Sequence, residues 1–305
     1  MTGLQPRANS DQPMLGIAMM LAAYAFFSCI DASAKWLVLA GFPALQLVFM
    51  RYFGHFFISL ALIGKGGISL QRFTSPKLGM VILRSLLLMY STIANFIAVR
   101  YLPLTLTSTI LFSAPIITCA LSWPLLGERV GVWRWAAILF GFCGIVVAIR
   151  PFDESFHWAM FLSLSGATGF ALYSVLTRKL SGIVATGTMQ FYSGMVGAVA
   201  MLPFAIADWR SPDTLSGWAL LFGLGIFGWT GHEFLTRAHG FAPAMVLMPF
   251  GYIFIIYLTI WSYFLFDHLP DQWTITGAVI IVAAGLVIWL RERRLSIQRR
   301  AIPAG

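Results

Sequence analysis

Charge is what this sequence has least of. Only 10% of its 305 residues are Asp, Glu, Lys or Arg, against about 25% in a soluble domain. With 59% hydrophobic residues and a mean hydropathy of +0.83, that shortage excludes an ordinary soluble fold. Period-2 alternation is missing too, which argues against an outer-membrane barrel. Cysteine is scarce, and Cys29, Cys119 and Cys143 all fall in apolar runs without metal-ligand spacing,. They read as lipid-embedded or core thiols. Also missing are a phosphate-binding loop, a His-Glu-x-x-His zinc motif and a Gly-x-Ser-x-Gly nucleophile,. The expectation is therefore no enzyme, no catalytic residues, no cofactor and no metal. A polar first stretch followed by an overlong apolar run gives no expected signal peptide.

What is present is a series of apolar runs of about 18 to 26 residues, long enough to cross a hydrocarbon core of about 30 Å as helices. They predict ten spans: Met14–Leu39, Pro43–Ile63, Lys77–Val99, Leu104–Leu126 and Val132–Ile149, then Trp158–Lys179, Thr186–Ile206, Ser216–Leu235, Pro243–Phe266 and Trp273–Leu290. The Gly-rich segment Gly64–Pro76 is expected to lie on the membrane surface. The fold class is all-α integral membrane.

Lys and Arg set the orientation. One side collects Arg7, Lys65, Arg72, Lys77, Arg129, Arg134, Arg178, Lys179, Arg237 and the five arginines from Arg291 to Arg300; the other has only Arg100, Arg150 and Arg210. Both termini are therefore expected in the cytoplasm, in a cell (inner) membrane. The formal charge of +9 is spent on topology and on contact with the lipid bilayer, not on nucleic acid.

The halves repeat. Phe27-x3-Asp31-x3-Lys35 lies over Phe170-x3-Ser174-x3-Arg178, and Asn95–Arg100 over His232–Arg237. In the fourth and ninth spans Pro115 precedes Gly127-Glu128 and Pro249 precedes Asp267; Gly144 and Gly285 sit in the fifth and tenth. Five spans per copy is an odd number, so the second copy inserts upside down. Two inverted five-helix repeats, residues 14–150 and 158–291, followed by a basic cytoplasmic tail, 292–305, predict a transporter working by alternating access.

These residues resemble the drug/metabolite transporter superfamily in its EamA-type ten-helix branch. The specific stretch is "RYLPLTLTSTILFSAPIITCALSWPLLGERVGVWRWAAILFGFCGIVVAIRP", with its second-half partner Gly231–Asp271 carrying Ala242-Pro243-Ala244 and Pro249-Phe250-x-Tyr252. The second stretch is similar to a subgroup of riboflavin importers, S-adenosylmethionine carriers and metallophore exporters. Phe266-Asp267 departs from the Gly-Glu or Gly-Asp usual there. The resemblance implies a secondary transporter for a small polar or aromatic metabolite. Riboflavin-like uptake comes first; S-adenosylmethionine uptake and export of an amino-acid-like compound or metallophore are alternatives. A membrane-embedded enzyme is the rival from another class. A homodimer is compatible with this reading.

Charges inside a span are costly and tend to face a cavity or a partner. At about 1.5 Å per residue, Asp31 and Arg51 fall at one depth in the first two spans and are expected to pair or to share a substrate. His55 follows one turn deeper on the Arg51 face. Arg84 lies at a similar depth in the third span and reads as a fixed cation or a structural clamp; it matches an arginine common there in the resembling subgroup. Asn95 completes the first-half set, and Tyr252, beside Pro249, is the chosen substrate-facing aromatic among Phe27, Tyr90, Tyr173, Tyr192, Phe250, Tyr252 and Trp261. Lys35 is the rim residue. His232 and Glu233, near the end of the eighth span, are the candidate gate and proton-coupling pair. Glu128 and Asp267 read as charges complementing the start of the next helix. The glycines of Gly223–Gly231 are expected to let the eighth span approach its neighbours closely.

Overall fold

The structure is a computed structural model that describes residues 12–65, 73–126, 132–151, 153–154, 156–180, 183–241 and 247–301. Among them every regular element is a helix. The elements are α1 (Pro13–Leu39), α2 (Ala44–Lys65), α3 (Leu78–Tyr101), α4 (Leu104–Leu111), α5 (Ala114–Leu126), α6 (Val132–Ile149), α7 (Ala159–Leu180), α8 (Thr186–Ala207), α9 (Leu215–Phe241), a 3₁₀ turn (Met248–Tyr252), α10 (Ile253–Phe266) and α11 (Gln272–Ala301). Helices satisfy their own backbone groups, which is why lipid admits them. Six are long and apolar enough to cross a membrane, and Leu104–Thr118, Trp135–Ile149 and Phe250–Phe266 are shorter apolar helices.

The predicted spans appear with three differences. The fourth is two helices, α4 and α5, joined by a turn at Phe112–Ser113. Pro115 has no N–H for the carbonyl four residues back, so the helix breaks just ahead of it. The described part of the ninth span opens with the 3₁₀ turn holding Pro249. The eighth and tenth run past their predicted ends, to Phe241 and Ala301. Helices need not stop where hydropathy does, because Lys, Arg, Glu and Gln are good helix formers. The expected tail is thus largely a continuation of α11.

The halves interleave. α1 packs on α9 and α3 on α7; α2 packs on α8 and α6 on α11. Exchanging the first five spans for the last five turns the first pair of contacts into each other and leaves the other two unchanged. The broken α4 likewise meets α10.

Lipid removes the hydrophobic drive between helices, so close packing of small residues has to hold them. Gly54 and Gly225 bring α2 and α9 into backbone contact: a methyl on Gly225 would lie 2.7 Å from the Gly54 Cα. Gly231 makes room for the Phe27 ring, which a methyl there would meet at 2.5 Å. The glycine run of α9 therefore sits where the expectation put it. A methyl on Gly194 would lie 2.7 Å from the Phe56 backbone, and one on Gly197 would strike the Tyr52 ring.

At one end of the bundle, Gln46 and the loop after α8 are locked: Gln46 Nε2 donates to the Arg210 carbonyl at 2.7 Å, and the Arg210 N–H donates to Gln46 Oε1 at 3.0 Å. The Arg210 guanidinium donates to the Gly41 carbonyl at 3.1 Å, where φ is +90°. At the opposite end, Tyr192 OH donates to the Phe73 carbonyl at 2.7 Å.

The carboxylate expected to serve the start of α11 is not Asp267. That residue ends α10 in the left-handed region, φ 49°. Asp271 caps instead: the Thr274 N–H donates to its Oδ1 at 2.8 Å, and Arg150 pairs with its Oδ2 at 2.7 Å. Partial burial raises the Asp271 carboxyl, but the Thr274 bonds, Arg150 and His268 outweigh it and hold it below its usual 3.8. Its stabilisation is full above that value and disappears as pH falls below it. Asp271→Ala should lower the melting temperature in detergent by a few degrees at pH 7, for a cap of about 1 kcal/mol. The difference should narrow as pH falls below 3.8; a gap that does not narrow as the carboxyl is protonated would refute the assignment. Glu128, residues 66–72 of the expected surface segment and the Cys119 side chain lie outside the described residues. Cys29 is half-buried and Cys143 exposed on the apolar outside of the bundle.

Candidate functional site

α3 organises the polar interior. Asn95 Nδ2 donates to Asp31 Oδ1 at 3.0 Å. One turn away, Thr92 receives the Arg51 guanidinium and lies 2.8 Å from Tyr52 OH. The Thr92 hydroxyl hydrogen goes to the Leu88 carbonyl at 2.9 Å, so Tyr52 is the donor of that contact. Asp31 and Arg51 thus bond to α3 residues one turn apart. They do not form the expected ion pair among the described residues, because each is taken by a neutral group of α3. Asp31 is 8% exposed. Arg51 is only partly buried, and Gly228 on α9 leaves space beside its Nε. A buried carboxylate and a partly buried guanidinium that stay apart are poised for a third partner carrying both charges.

Arg84 is built differently. It is 3% exposed. Its Nε donates to Thr177 at 2.7 Å, Nη1 to Ser193 at 2.9 Å and to the Met189 carbonyl at 3.3 Å, and Nη2 to Tyr173 OH at 2.8 Å. The guanidinium also lies 4.4 Å from the Tyr173 ring centre. Most of its hydrogens are committed to α7 and α8, so it clamps the two halves and contributes its charge to the interior as a field. Among its described partners none is an acid.

His55 and His232 meet between them. Their ring centres are 6.0 Å apart, and the His232 ring is 5.0 Å from Phe27. His232 was expected near a membrane interface. Because α9 continues to Phe241, it sits about 14 Å from the helix end and is 8% exposed. Glu233, expected beside it as an acid, turns away and pairs with Arg237 at 2.8 Å, one turn on and exposed. Lys35 donates to the Leu102 carbonyl at 2.7 Å, capping α3, with Phe266 5.3 Å from its Nζ. Its bond is to the end of α3 and not to Asp31.

The breaks in the fourth and ninth spans meet through aromatic rings. Phe112, in the turn between α4 and α5, lies 5.2 Å from Tyr252 in the 3₁₀ turn. The Tyr252 hydroxyl packs on Gly285 of α11, leaving no room there for a Cβ. Rings continue from Phe112 to Phe254 at 6.1 Å, to Tyr24 at 5.8 Å and to Phe27 at 5.9 Å, and so to His232. Discontinuous helices meeting at mid-bundle, beside buried charge, are where transporters hold solutes. Thr92, Tyr24 and Phe112 escaped the sequence reading. Only the helix break at Pro115 could have drawn attention to Phe112.

Two stretches of the chain, residues 14–150 and 157–290, match the EamA-like transporter family. The chain belongs to that family. An S-adenosylmethionine uptake transporter of Rickettsia bellii is 30% identical to it over 92% of this chain and 95% of the relative. The pseudopaline exporter CntI of Pseudomonas aeruginosa is 28% identical, with 90% and 95% covered. A riboflavin transporter of Vibrio cholerae is 26% identical, with 95% and 98% covered. A solved crystal structure of 18% identity superposes with a TM-score of 0.60 over 90% of this chain and 98% of its own, which bears on fold alone. This EamA-like chain is thus a ten-helix multi-pass membrane transporter of a small molecule, and not an enzyme. The cleft of about 350 Å³ between Val146, Val147, Arg150, Pro151, Asp153 and Trp273 lies at the ends of α6 and α11, apart from the charged interior.

Proposed function

We propose that this EamA-like transporter moves a small metabolite bearing an ammonium group, a carboxylate and a planar ring, of the S-adenosylmethionine class. Alternating access would exchange two inverted repeats, 14–150 and 158–291. The observation that carries this reading is that the buried Asp31 and the partly buried Arg51 bond to Asn95 and Thr92, one turn apart on α3, and not to one another. The ammonium group goes to Asp31 and Asn95, the carboxylate to Arg51, and the ring to the aromatic run that includes Phe27 and Tyr252. Arg84 holds the halves in register and adds positive potential. His55 and His232 are the groups placed to carry a coupling proton; Glu233 and Lys35 tune the two ends. The several relatives that carry the name of S-adenosylmethionine uptake transporters, at 28 to 30% identity, support this choice of class. The Lys/Arg bias supports both termini in the cytoplasm of a cell whose inner membrane holds the protein. The molar mass of the detergent-solubilised protein decides between a monomer and a homodimer.

A riboflavin-like substrate is the second reading, favoured by the ring series from Tyr24 to Tyr252, which needs no charge on its ligand. Uptake by proteoliposomes separates the two. Labelled S-adenosylmethionine should accumulate saturably and should not be competed by riboflavin. Riboflavin uptake without S-adenosylmethionine uptake would install the second reading, and no uptake of either would remove both.

A further inference from the structure

The polar stripe of α2 does not stop at Arg51. Arg51, His55 and Ser59 follow at intervals of four, on one face. His55 is 4% exposed and Ser59 5%, yet His55 Nε2 and Ser59 Oγ have no hydrogen-bond partner. Across from them on α8, Gln190 Oε1 is likewise buried without a partner.

Helix register brings the three together. α2 and α8 run antiparallel in contact, with Tyr52 against Gly197 and Phe56 against Gly194. Continuing that register one turn along α2 sets Ser59 opposite Gln190, and Gln190 also neighbours His55. Polar atoms left without partners in a buried helix interface are costly. The groups are a hydroxyl, an imidazole nitrogen and an amide whose oxygen and nitrogen are interchangeable by a flip, so all three can donate. Arg84 bonds to Met189 and Ser193, on either side of Gln190 in the same helix. Its charge, together with that of Arg51, makes the local potential positive, which disfavours a cation and favours an anion.

We propose that His55, Ser59 and Gln190 form a second carboxylate subsite, one to two turns from Arg51 toward the Lys65 end of α2. The substrate's carboxylate passes from Arg51 to this subsite on its way through the bundle. This rests on the zwitterion reading above. It adds a step: the first site sets affinity, and the second sets the rate of passage.

The test uses the full-length protein. Binding of S-adenosylmethionine in detergent is measured beside its initial uptake in proteoliposomes, with melting curves confirming folded protein. Ser59→Ala with Gln190→Leu should leave the dissociation constant within about twofold and cut maximal uptake by about tenfold. Gln190→Glu places a fixed carboxylate in the subsite and should slow uptake more than Gln190→Leu does. Uptake at the wild-type rate in the double variant, or Gln190→Glu no slower than Gln190→Leu, would overturn the subsite and indicate a site filled by water alone. A wild-type protein that binds no S-adenosylmethionine would instead bring down the zwitterion reading and this inference with it.

Discussion

Asp31→Asn is expected to reduce S-adenosylmethionine uptake by roughly 30- to 100-fold while leaving a folded, normally expressed protein. The substitution keeps the side chain's shape, and the amide oxygen still accepts the bond from Asn95 Nδ2. Only the charge is lost. A hydrogen bond to a charged group is worth about 1.5–3 kcal/mol, and each 1.4 kcal/mol is tenfold in a binding constant. The effect should fall on affinity for the ammonium-bearing substrate. Neutralising a carboxylate that has no ion-pair partner among the described residues also relieves desolvation, so the melting temperature should hold or rise. Loss of folded protein would mean that Asp31 is a structural group. Unchanged uptake would remove it from the site.

Gly225→Leu should prevent folding altogether. Backbone meets backbone where α9 crosses α2, and even a methyl on Gly225 would stand 2.7 Å from the Gly54 Cα and 3.2 Å from the Met50 carbonyl. No side chain is available to swing aside. Overpacking a well-packed core costs about 1–3 kcal/mol or more, against a total stability of about 5–15 kcal/mol, and here the whole α2–α9 interface has to open. Size-exclusion profiles of membrane extracts should show aggregate in place of a symmetric peak. Gly79→Ala is the control: a Cβ there meets nothing within 4 Å, and the variant should behave as wild type. A monodisperse Gly225→Leu protein would show that the α2–α9 crossing is wrong.

Much of this architecture could be read from the residues. Hydropathy located the spans because a span must be apolar to sit in lipid, and Pro249 marked a loosened stretch because proline withholds a backbone donor; the break ahead of Pro115 was not expected, since that run is apolar throughout. The expectation that Asp31 and Arg51 share one region came from the helical rise and the short turn between α1 and α2. Their actual partners did not. Which face of α3 turns inward decides that Thr92 and Asn95 receive them, and nothing in the apolar sequence of α3 specifies that rotation. Arg84 shows the same limit: its acceptors Tyr173, Thr177 and Ser193 lie about 90 to 110 residues away in the other half, and only the packing of the halves joins them. His232 was placed too shallow because hydropathy ended the eighth span at Leu235, whereas Thr236 and Arg237 extend the helix without difficulty.

The claim beneath all of this is that one solute presents opposite charges to two interior side chains that decline each other. Binding of S-adenosylmethionine to the purified protein, compared with its decarboxylated and its N-acetylated forms, tests that most directly. Each altered ligand should bind at least tenfold more weakly, the first insensitive to Arg51→Ala and the second to Asp31→Asn. Equal affinity for all three ligands would contradict the account.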